Sequence, residues 1–357
     1  MAADLAESFR SQAEWSQKTA PLYRRICQYI AGQPDLVDLL RPAPPEQQLP
    51  VLLLGVIHDL LLADTTQELA QFYPNLTGRP RTDGLEAVLR AFCEHHAARI
   101  SELVATRRTQ TNEVGRCSLL LPALAIIGDE TGPIAHLDVG TSAGLNLQLD
   151  RFHYDYVPGG SVGDDSTVML SCGTRGDVPV PVVMPAFSAH VGLDSHPVDV
   201  HDDEQARWLM ACVWPDQAER FTRLAAAIEL ARSVSPTILM GDAVTDLRPA
   251  IDVATATGGH PVVTNSWVLN YLSVDEQRGY VEALEEIGAE RDLSWVYAEA
   301  PALVLGIACS HLDRVHDDEH ITVLTMVRWR NGHRDVRRLA TAHPHGAWIH
   351  WEAVNVR

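Results

Sequence analysis

The chain is almost without lysine: of its 28 lysine and arginine residues, only Lys18 is a lysine. A phosphate-binding loop of the G-x-x-x-x-G-K-[ST] type needs a lysine directly after its second glycine, and Lys18 has no such context. A pyridoxal cofactor would have to form its Schiff base with Lys18, and nothing around that residue favours one. The composition therefore excludes two common classes of cofactor-dependent protein.

Positive charge is scarce as a whole, since the formal net charge is −19 at pH 7. Proteins that bind nucleic acids present a basic face that displaces counterions from phosphates. The best basic patch, RRTQTNEVGR at 107–116, is short. We expect no nucleic-acid partner, and a small or neutral molecule is the favoured substrate.

Paired cysteines and long apolar runs are also missing. The six cysteines contain no C-x-x-C pair, so we expect buried thiols in a reducing cytoplasm; they are Cys27, Cys93, Cys117, Cys172, Cys212 and Cys309. The longest apolar run, at 49–63, is too short for a membrane span and contains His58 and Asp59. The first residues lack the pattern of a signal peptide. These features predict a cytoplasmic protein without a membrane segment.

One histidine pair has a spacing that metal sites use. His316 and His320 are four residues apart, with Asp313 and Asp317 nearby, and this spacing can place both rings on one helix face. No H-E-x-x-H motif and no third placed ligand accompany them. A solvated acidic loop explains the segment better, and we predict no metal.

The chain changes character near residue 130. Residues 1–130 have only helical patterns, with a proline-rich break at 41–48, and predict an all-helical N-terminal cap domain. From 131 to 357, short apolar runs alternate with helical segments and predict an α/β domain. We expect a Rossmann-like, mostly parallel sheet with helices on both faces. A small antiparallel insertion at 151–185 and a C-terminal antiparallel hairpin turning at Asn331-Gly332 complete this prediction.

The stretch HLDVGTSAGLNL, residues 136–147, permits two interpretations. Gly140-Thr141-Ser142-Ala143-Gly144 fits the G-x-S-x-G turn of serine hydrolases, with Ser142 as nucleophile. It also fits a glycine-rich turn that lets a nucleoside cofactor approach the backbone. Both interpretations place a strand before the first glycine and a helix after the second. The apparent absence of upstream strands and of an HGG-type loop disfavours the hydrolase, as does the need of Asp138 for a buried partner.

Three later strands end in polar residues. Asp194 ends HVGLD, Asp242 ends ILMGD, and Ser266 follows Thr264 and Asn265 in TNSW. Because ligands of open parallel sheets bind outside the carboxyl ends of the strands, we expect these residues near the 140–144 turn.

HLDVGTSAGLNL, ILMGDAVTDL and the closing NGH hairpin together resemble the class I S-adenosylmethionine-dependent methyltransferases over residues 133–357. That resemblance implies S-adenosylmethionine as cofactor, with Asp138, Gly140 and Gly144 lining its methionine and ribose part. It implies Asp194 on the ribose, with Asp199 as the competing choice, and Asp242 with Ala243 on the adenine. RTQTNEVGR and ARWLMACVWPDQ also resemble a bacterial domain family of unassigned function that is considered methyltransferase-like. The full set of predicted cofactor-binding residues is Asn112, Arg116, Asp138, Gly140, Thr141, Ser142, Ala143, Gly144, Asp194, Asp242, Ala243 and Ser266.

The catalytic base is harder to predict. If residues 112–116 are helical, Asn112, Glu113 and Arg116 share a face, where Arg116 could pair with a ligand carboxylate and Glu113 could take a proton. An N-capped surface turn explains the same residues without a function. His153, in RFHYDY, is the second candidate base, and its alternative is aromatic packing.

The resemblance favours a methyltransferase, most simply an O-methyltransferase, that acts on a hydroxyl or amine of a small molecule. A nicotinamide dehydrogenase is disfavoured because the G-x-G-x-x-G spacing fails. The Ser142 hydrolase and a non-catalytic nucleoside-binding protein remain open alternatives.

Overall fold

The computed structural model describes residues 5–234, 236–303 and 321–355. Two compact units make up the chain. The first unit comprises residues 1–111 and 199–225, and the second comprises 112–198 and 226–357. Residues 112–130 therefore belong to the second unit, whereas residues 199–225 belong to the first. The domain boundary at 130 and the role of the helices as a cap stay predictions.

The first unit is helical throughout its described part. Its helices are α1 (Leu5–Trp15), α2 (Pro21–Ala31), α3 (Pro34–Val37), α4 (Pro50–Ala63), α5 (Leu85–His95), α6 (Ala97–Thr106), α8 (Asp203–Ala211) and the first half of α9 (Ala218–Ser233). Proline at the first position starts α2, α3 and α4, where a missing N–H costs nothing. Apolar residues cover most sides of α4, so it is the buried centre of this unit, as its sequence predicts.

The second unit contains every described strand and the helices α7 (Cys117–Thr131), α10 (Leu247–Thr255) and α11 (Val274–Glu290). Ser273 and Glu276 form the capping box that their spacing predicts at the start of α11. The strands are β1 (Ile134–Val139), β2 (His153–Val157), β3 (Gly160–Val162), β4 (Met169–Arg175), β5 (Phe187–Asp194), β6 (Thr237–Met240), β7 (His260–Ser266), β8 (Leu293–Glu299), β9 (Thr322–Arg330), β10 (His333–Ala342) and β11 (Trp348–Asn355).

All eleven strands form one mixed sheet, in the order β3-β2-β4-β11-β10-β9-β8-β7-β1-β5-β6, and helices lie on both of its sides. The five strands from β8 to β6 are parallel. From β1 the chain first adds β5 and β6 on one side and then β7 and β8 on the other. The order therefore reverses between β1 and β7, and this is the place where open α/β sheets bind ligands.

The other half of the sheet differs from the prediction. The segment 151–185 is not a separate antiparallel excursion, because β2 pairs parallel with β4 and β4 pairs parallel with β11 of the main sheet. Within this segment only β2 and β3 pair in antiparallel orientation. The predicted turn at Asn331-Gly332 is present, with both residues at positive φ, but a third strand, β11, extends the expected hairpin.

The helix expected after Gly144 is replaced by a 3₁₀ segment, Leu145–Arg151. Its first amide, that of Leu145, donates to the side chain of Asn112, and β2 begins two residues after it ends. The start of β2 therefore limits the length of a helix at this place. Elsewhere, no helix of the described residues has the length and apolar character that crossing a membrane requires.

Candidate functional site

Three alternate residues of the turn after β1 have an unusual backbone conformation. Gly140, Ser142 and Gly144 all have positive φ, at 70°, 55° and 70°. A serine in this conformation is uncommon and costs energy. A Cβ on Gly140 would lie 2.4 Å from Val268, and one on Gly144 would lie 2.8 Å from Pro236. Both glycines are therefore required by packing as well as by conformation.

Asp194, at the carboxyl end of β5, holds this turn in place. Its Oδ2 accepts the N–H of Ser142 at 2.7 Å, and its Oδ1 accepts the N–H of His196 at 2.8 Å. The competing acid, Asp199, is exposed, belongs to the first unit and accepts the N–H of His201. Only Asp194 thus contacts the glycine-rich turn. Which acid holds a ribose stays a prediction.

Asp138 is buried and has the partner that its sequence context demands. The hydroxyl of Thr264, on the neighbouring strand β7, donates to Asp138 Oδ1 at 2.7 Å. That hydroxyl also lies 2.8 Å from Nε2 of His136. Burial raises the pKa of Asp138 to about 6, against the lowering effect of hydrogen bonds from Thr264 and Thr141. Such a carboxyl can change its protonation near neutral pH.

A second buried acid, Glu299, ends β8. Its Oε1 accepts N–H groups from Asn265, Val268 and Leu269, whereas its Oε2 is buried with no hydrogen-bond partner among the described residues. Burial raises the pKa of Glu299 to about 7, although the hydrogen bonds from Val268 and Asn265 oppose this. A buried acid with a free oxygen at a strand end is typical of functional sites.

The segment 112–116 connects these strand ends. Asn112 Oδ1 accepts from Leu145, and Glu113 Oε1 accepts the N–H of Gly115. Arg116 donates to the carbonyls of Ser266 and Pro344. Its charge lowers the pKa of both Asp138 and Glu299, so it lies within electrostatic reach of both acids.

Only Val114–Arg116 forms one 3₁₀ turn, so the helix that would place Asn112, Glu113 and Arg116 on one face is not present. The N-cap-like contact of Glu113 corresponds to the structural alternative, and Arg116 takes part in the site. Trp267, beside Arg116, has a positive φ of 56° that marks the loop after β7 as strained.

Several predicted residues lie at the edge of this cluster or outside it. Asp242 is exposed at the end of β6, and its Oδ1 accepts the N–H groups of Val244 and Thr245, which lower its pKa. Ala243 packs against the core of the second unit. His153 begins β2, and its Nδ1 lies 3.2 Å from the carbonyl of Gly163. The Nδ1 of His153 is also 3.3 Å from the carbonyl of Asp164, so its contacts lie within the 151–185 segment.

The predicted small residues of the turn are closely packed. Ala143 is buried, and the methyl group of Thr141 fills the space beside Gly192 on β5, where a Cβ would lie 2.5 Å away. Ser142 Oγ is buried and has no hydrogen-bond partner among the described residues. A serine nucleophile needs a base within hydrogen-bonding reach, and no described histidine provides one. Asp242, the acid that could complete a catalytic triad with Ser142, already accepts the N–H of Val244.

No group of three or more His, Cys, Asp or Glu residues within 5–234, 236–303 and 321–355 is arranged to hold a metal. His316 and His320, with Asp313 and Asp317, lie outside the described residues.

Glu299 and His136 were not predicted as site residues from the sequence. Glu299 follows an apolar strand in the same way as Asp138, Asp194 and Asp242, and this shared position was the available signal. His136 is part of HLDVG, two residues before Asp138, and therefore faces the same side of the strand.

The site suits a nucleoside cofactor in part. Asp194 is partly exposed, and each of its oxygens accepts one N–H here, which leaves lone pairs for ligand hydroxyls. Two features oppose a close fit, because Val268 packs directly on Gly140 and the Leu145 amide is already bonded.

Comparison with known proteins gives a family and no closer relative. No curated protein and no solved structure matches the chain. One family model matches residues 6–351, which is nearly the whole chain. The chain therefore belongs to the family described as an uncharacterized protein conserved in bacteria (DUF2332).

Proposed function

We propose that the chain is an S-adenosylmethionine-dependent methyltransferase acting on a hydroxyl or amine of a small molecule. The observation that carries the proposal is the parallel order β6-β5-β1-β7-β8, with its reversal between β1 and β7 and with polar residues at the strand ends. This order supports a Rossmann-like arrangement of the second unit. The antiparallel strand β9 beside β8 agrees with the same resemblance.

The cofactor would lie along the carboxyl edge of these strands. Asp194, with its remaining lone pairs, would accept the ribose hydroxyls, and Asp242 with Ala243 would flank the adenine. Asp138, Ser266 and the turn 140–144 would line the methionine part. For this fit Val268 must withdraw from Gly140, which requires the loop after β7 to move. The strained backbone of Trp267 in this loop supports such a movement.

The cofactor supplies an activated methyl group, and the chain has to position the acceptor and remove its proton. Asp138 and Glu299 are better candidates than Glu113 or His153 for removing the acceptor proton. Both are buried and have raised pKa values, and they lie at the carboxyl ends of β1 and β8, which are separated only by β7. Glu113 and His153 stay predictions as bases.

The net charge of −19 supports a small-molecule acceptor over a nucleic acid. A cytoplasmic location and a cap formed by the helical first unit remain part of the proposal. One observation favours a second candidate, a nucleoside-binding protein without turnover: the packing of Val268 on Gly140 closes the place where the reacting part of a cofactor would lie.

Isothermal titration calorimetry with S-adenosylmethionine and S-adenosylhomocysteine tests the proposal. Asp194→Asn is the informative variant and Asp199→Asn its control, because both acids accept the N–H of the residue two positions on. We expect about tenfold weaker binding for Asp194→Asn, since hydrogen bonds to a charged acceptor contribute roughly 1.5 kcal/mol or more. Asp199→Asn should bind like the wild type. Binding that is equal in all three proteins would remove Asp194 from the site.

A further inference from the structure

A directed chain of hydrogen bonds leaves Asp138 through the interior of the second unit. Thr264 and His136 are completely buried, and Asp138 nearly so. A threonine hydroxyl carries one proton, and here it donates to Asp138. The Thr264 oxygen can then only accept from His136 Nε2, 2.8 Å away. His136 therefore has a proton on Nε2, and because burial lowers its pKa to about 3, its Nδ1 carries a lone pair at neutral pH.

The far side of His136 leads towards the surface. Its Nδ1 is buried with no hydrogen-bond partner among the described residues, and the same is true of Nδ1 of His190. The two residues pair on adjacent strands β1 and β5, and their ring centroids are 6.0 Å apart. A single water between the two Nδ1 atoms would give each of them the partner that it lacks among the described residues.

His190 is the outer end of the chain. Its Nε2 lies 3.4 Å from Asp150 Oδ2, and both side chains are partly exposed. Phe187 packs against both histidine rings and gives the path an apolar wall.

We propose that Thr264 and His136 form a proton relay that connects the buried carboxyl of Asp138 with solvent at the His190–Asp150 pair. The relay makes Asp138 a proton-exchanging group, able to take up or release a proton while the site is closed. Thr264 and His136 act through Asp138 and are positioning residues. The use of this proton in methyl transfer rests on the proposed function, whereas the relay itself does not.

One proton can pass along this chain of hydrogen bonds without the histidine becoming charged. When a proton arrives at His136 Nδ1, the Nε2 proton passes to Thr264 and the Thr264 proton passes to Asp138. One proton enters and one reaches the carboxylate, and the imidazole ends in its other neutral tautomer. Release of the proton follows the same steps in reverse. Burial lowers the pKa of His136 to about 3, which agrees with a ring that exchanges tautomers and does not become cationic.

Other groups near Asp138 set the pH at which it exchanges. Asp194 raises its pKa, whereas Arg116 and the hydrogen bond from Thr141 lower it. Cys117 and Tyr280 also lie within electrostatic reach of Asp138, and burial raises the pKa of both above the usual range. His190 lies beside His136, and its charge disfavours protonation of that ring.

Nitrogen NMR of histidine-labelled protein without any ligand tests the relay, because protonated and unprotonated imidazole nitrogens have different chemical shifts. His136→Gln assigns the His136 signals. In the wild type we expect His136 to carry its proton on Nε2 when Asp138 is ionised and on Nδ1 when Asp138 is protonated. The midpoint of this exchange should lie at about pH 6, the pKa of Asp138.

Thr264→Val removes the hydroxyl and should abolish the exchange, whereas Thr264→Ser keeps the hydroxyl and should preserve it. Asp138→Asn should hold His136 in one tautomer at every pH. Amide spectra of each variant establish that it is folded. A wild-type His136 that keeps one tautomer throughout the titration, or an exchange that persists in Thr264→Val, overturns the relay. These outcomes are independent of cofactor binding, so failure of the relay and failure of the proposed function are distinguishable.

Discussion

The fully buried acids and histidines of the two units differ in their partners, although the partly buried Asp216 and His96 of the first unit each also have one atom without a partner among the described residues. In the first unit, Asp59 is paired with Arg207 at 2.9 Å. His58 has a partner at each ring nitrogen, the Ala211 carbonyl and the Asn75 amide. In the second unit, Glu299 and His136 each have one polar atom without a partner among the described residues. Both lie on the parallel strands, close to where the strand order reverses.

This difference separates structural polar groups from functional ones. A buried polar group stabilises a fold when every hydrogen-bonding atom is satisfied, and it costs free energy when one is not. Evolution retains such a cost most readily where a ligand or a proton is handled. The comparison predicts that Asp59→Ala destabilises the protein, whereas neutralising Glu299 does not.

Asp59→Ala should give the largest effect. It leaves the Arg207 guanidinium, which is only partly exposed, without its carboxylate, and we expect the free energy of unfolding to fall by about 3 kcal/mol. Urea denaturation measures the change. Asp35→Ala is the control, because Asp35 pairs with Arg90 in the same unit but is exposed, and it should change stability far less. Equal losses for both variants would contradict the distinction.

Glu299→Gln should raise the free energy of unfolding at neutral pH, whereas Asp59→Ala should lower it. The pKa of this acid is raised from its ordinary value of 4.5 to about 7, so the folded protein resists ionising it. Below pH 4.5 the carboxyl is neutral in both folded and unfolded chains and contributes nothing. As the pH rises to 7, the cost of ionising it in the folded chain grows to about 3 kcal/mol.

The glutamine variant lacks this cost, so its stability relative to the wild type should rise by a similar amount between these pH values. Denaturation at a series of pH values checks this. Glu282→Gln, at an exposed position of α11, serves as the control and should show no such rise. A parallel pH dependence of wild type and Glu299→Gln would contradict the buried, unsatisfied state of the acid.

Ser142→Gly tests the strained turn on a smaller scale. Glycine adopts a positive φ without steric cost, so the variant should unfold at higher temperature, with a gain of about 1 kcal/mol or less. Thermal unfolding followed by circular dichroism measures it. A clear loss of stability would mean that the serine side chain makes a stabilising contact.

Ser142→Ala should have the smallest effect on cofactor binding, since Oγ has no hydrogen-bond partner among the described residues. Under the hydrolase alternative the same change would abolish activity and labelling by a fluorophosphonate. Wild-type labelling that disappears in Ser142→Ala would therefore favour the hydrolase.

Local sequence patterns predicted the elements of the sheet well. The strands β1, β5, β6, β7 and β8, the capping box at Ser273 and the turn at Asn331-Gly332 all follow from short-range periodicity and turn chemistry. The pairing of β4 with β11 did not, because it joins segments that are far apart in the chain. The 3₁₀ segment after Gly144 was also missed, because its first amide bonds to Asn112, a residue that is distant in the sequence.

Half of the candidate site could be inferred in the same way. Asp138, Asp194 and the glycine-rich turn stand next to one another because strand ends of a parallel sheet meet at one edge. The contribution of Glu299 depends on one donor from β7 and two from the loop after it, and that of His136 depends on the hydroxyl of Thr264. Neither contact has a signature in the sequence, because each requires the register between strands to be known.

Calorimetry of the full chain with S-adenosylmethionine and S-adenosylhomocysteine measures whether the protein binds the proposed cofactor. We expect both compounds to bind the wild type in the micromolar range. Binding should be weaker in Asp194→Asn and retained in Ser142→Ala. An absence of binding to either compound would contradict the methyltransferase proposal, whatever the state of the Asp138 relay.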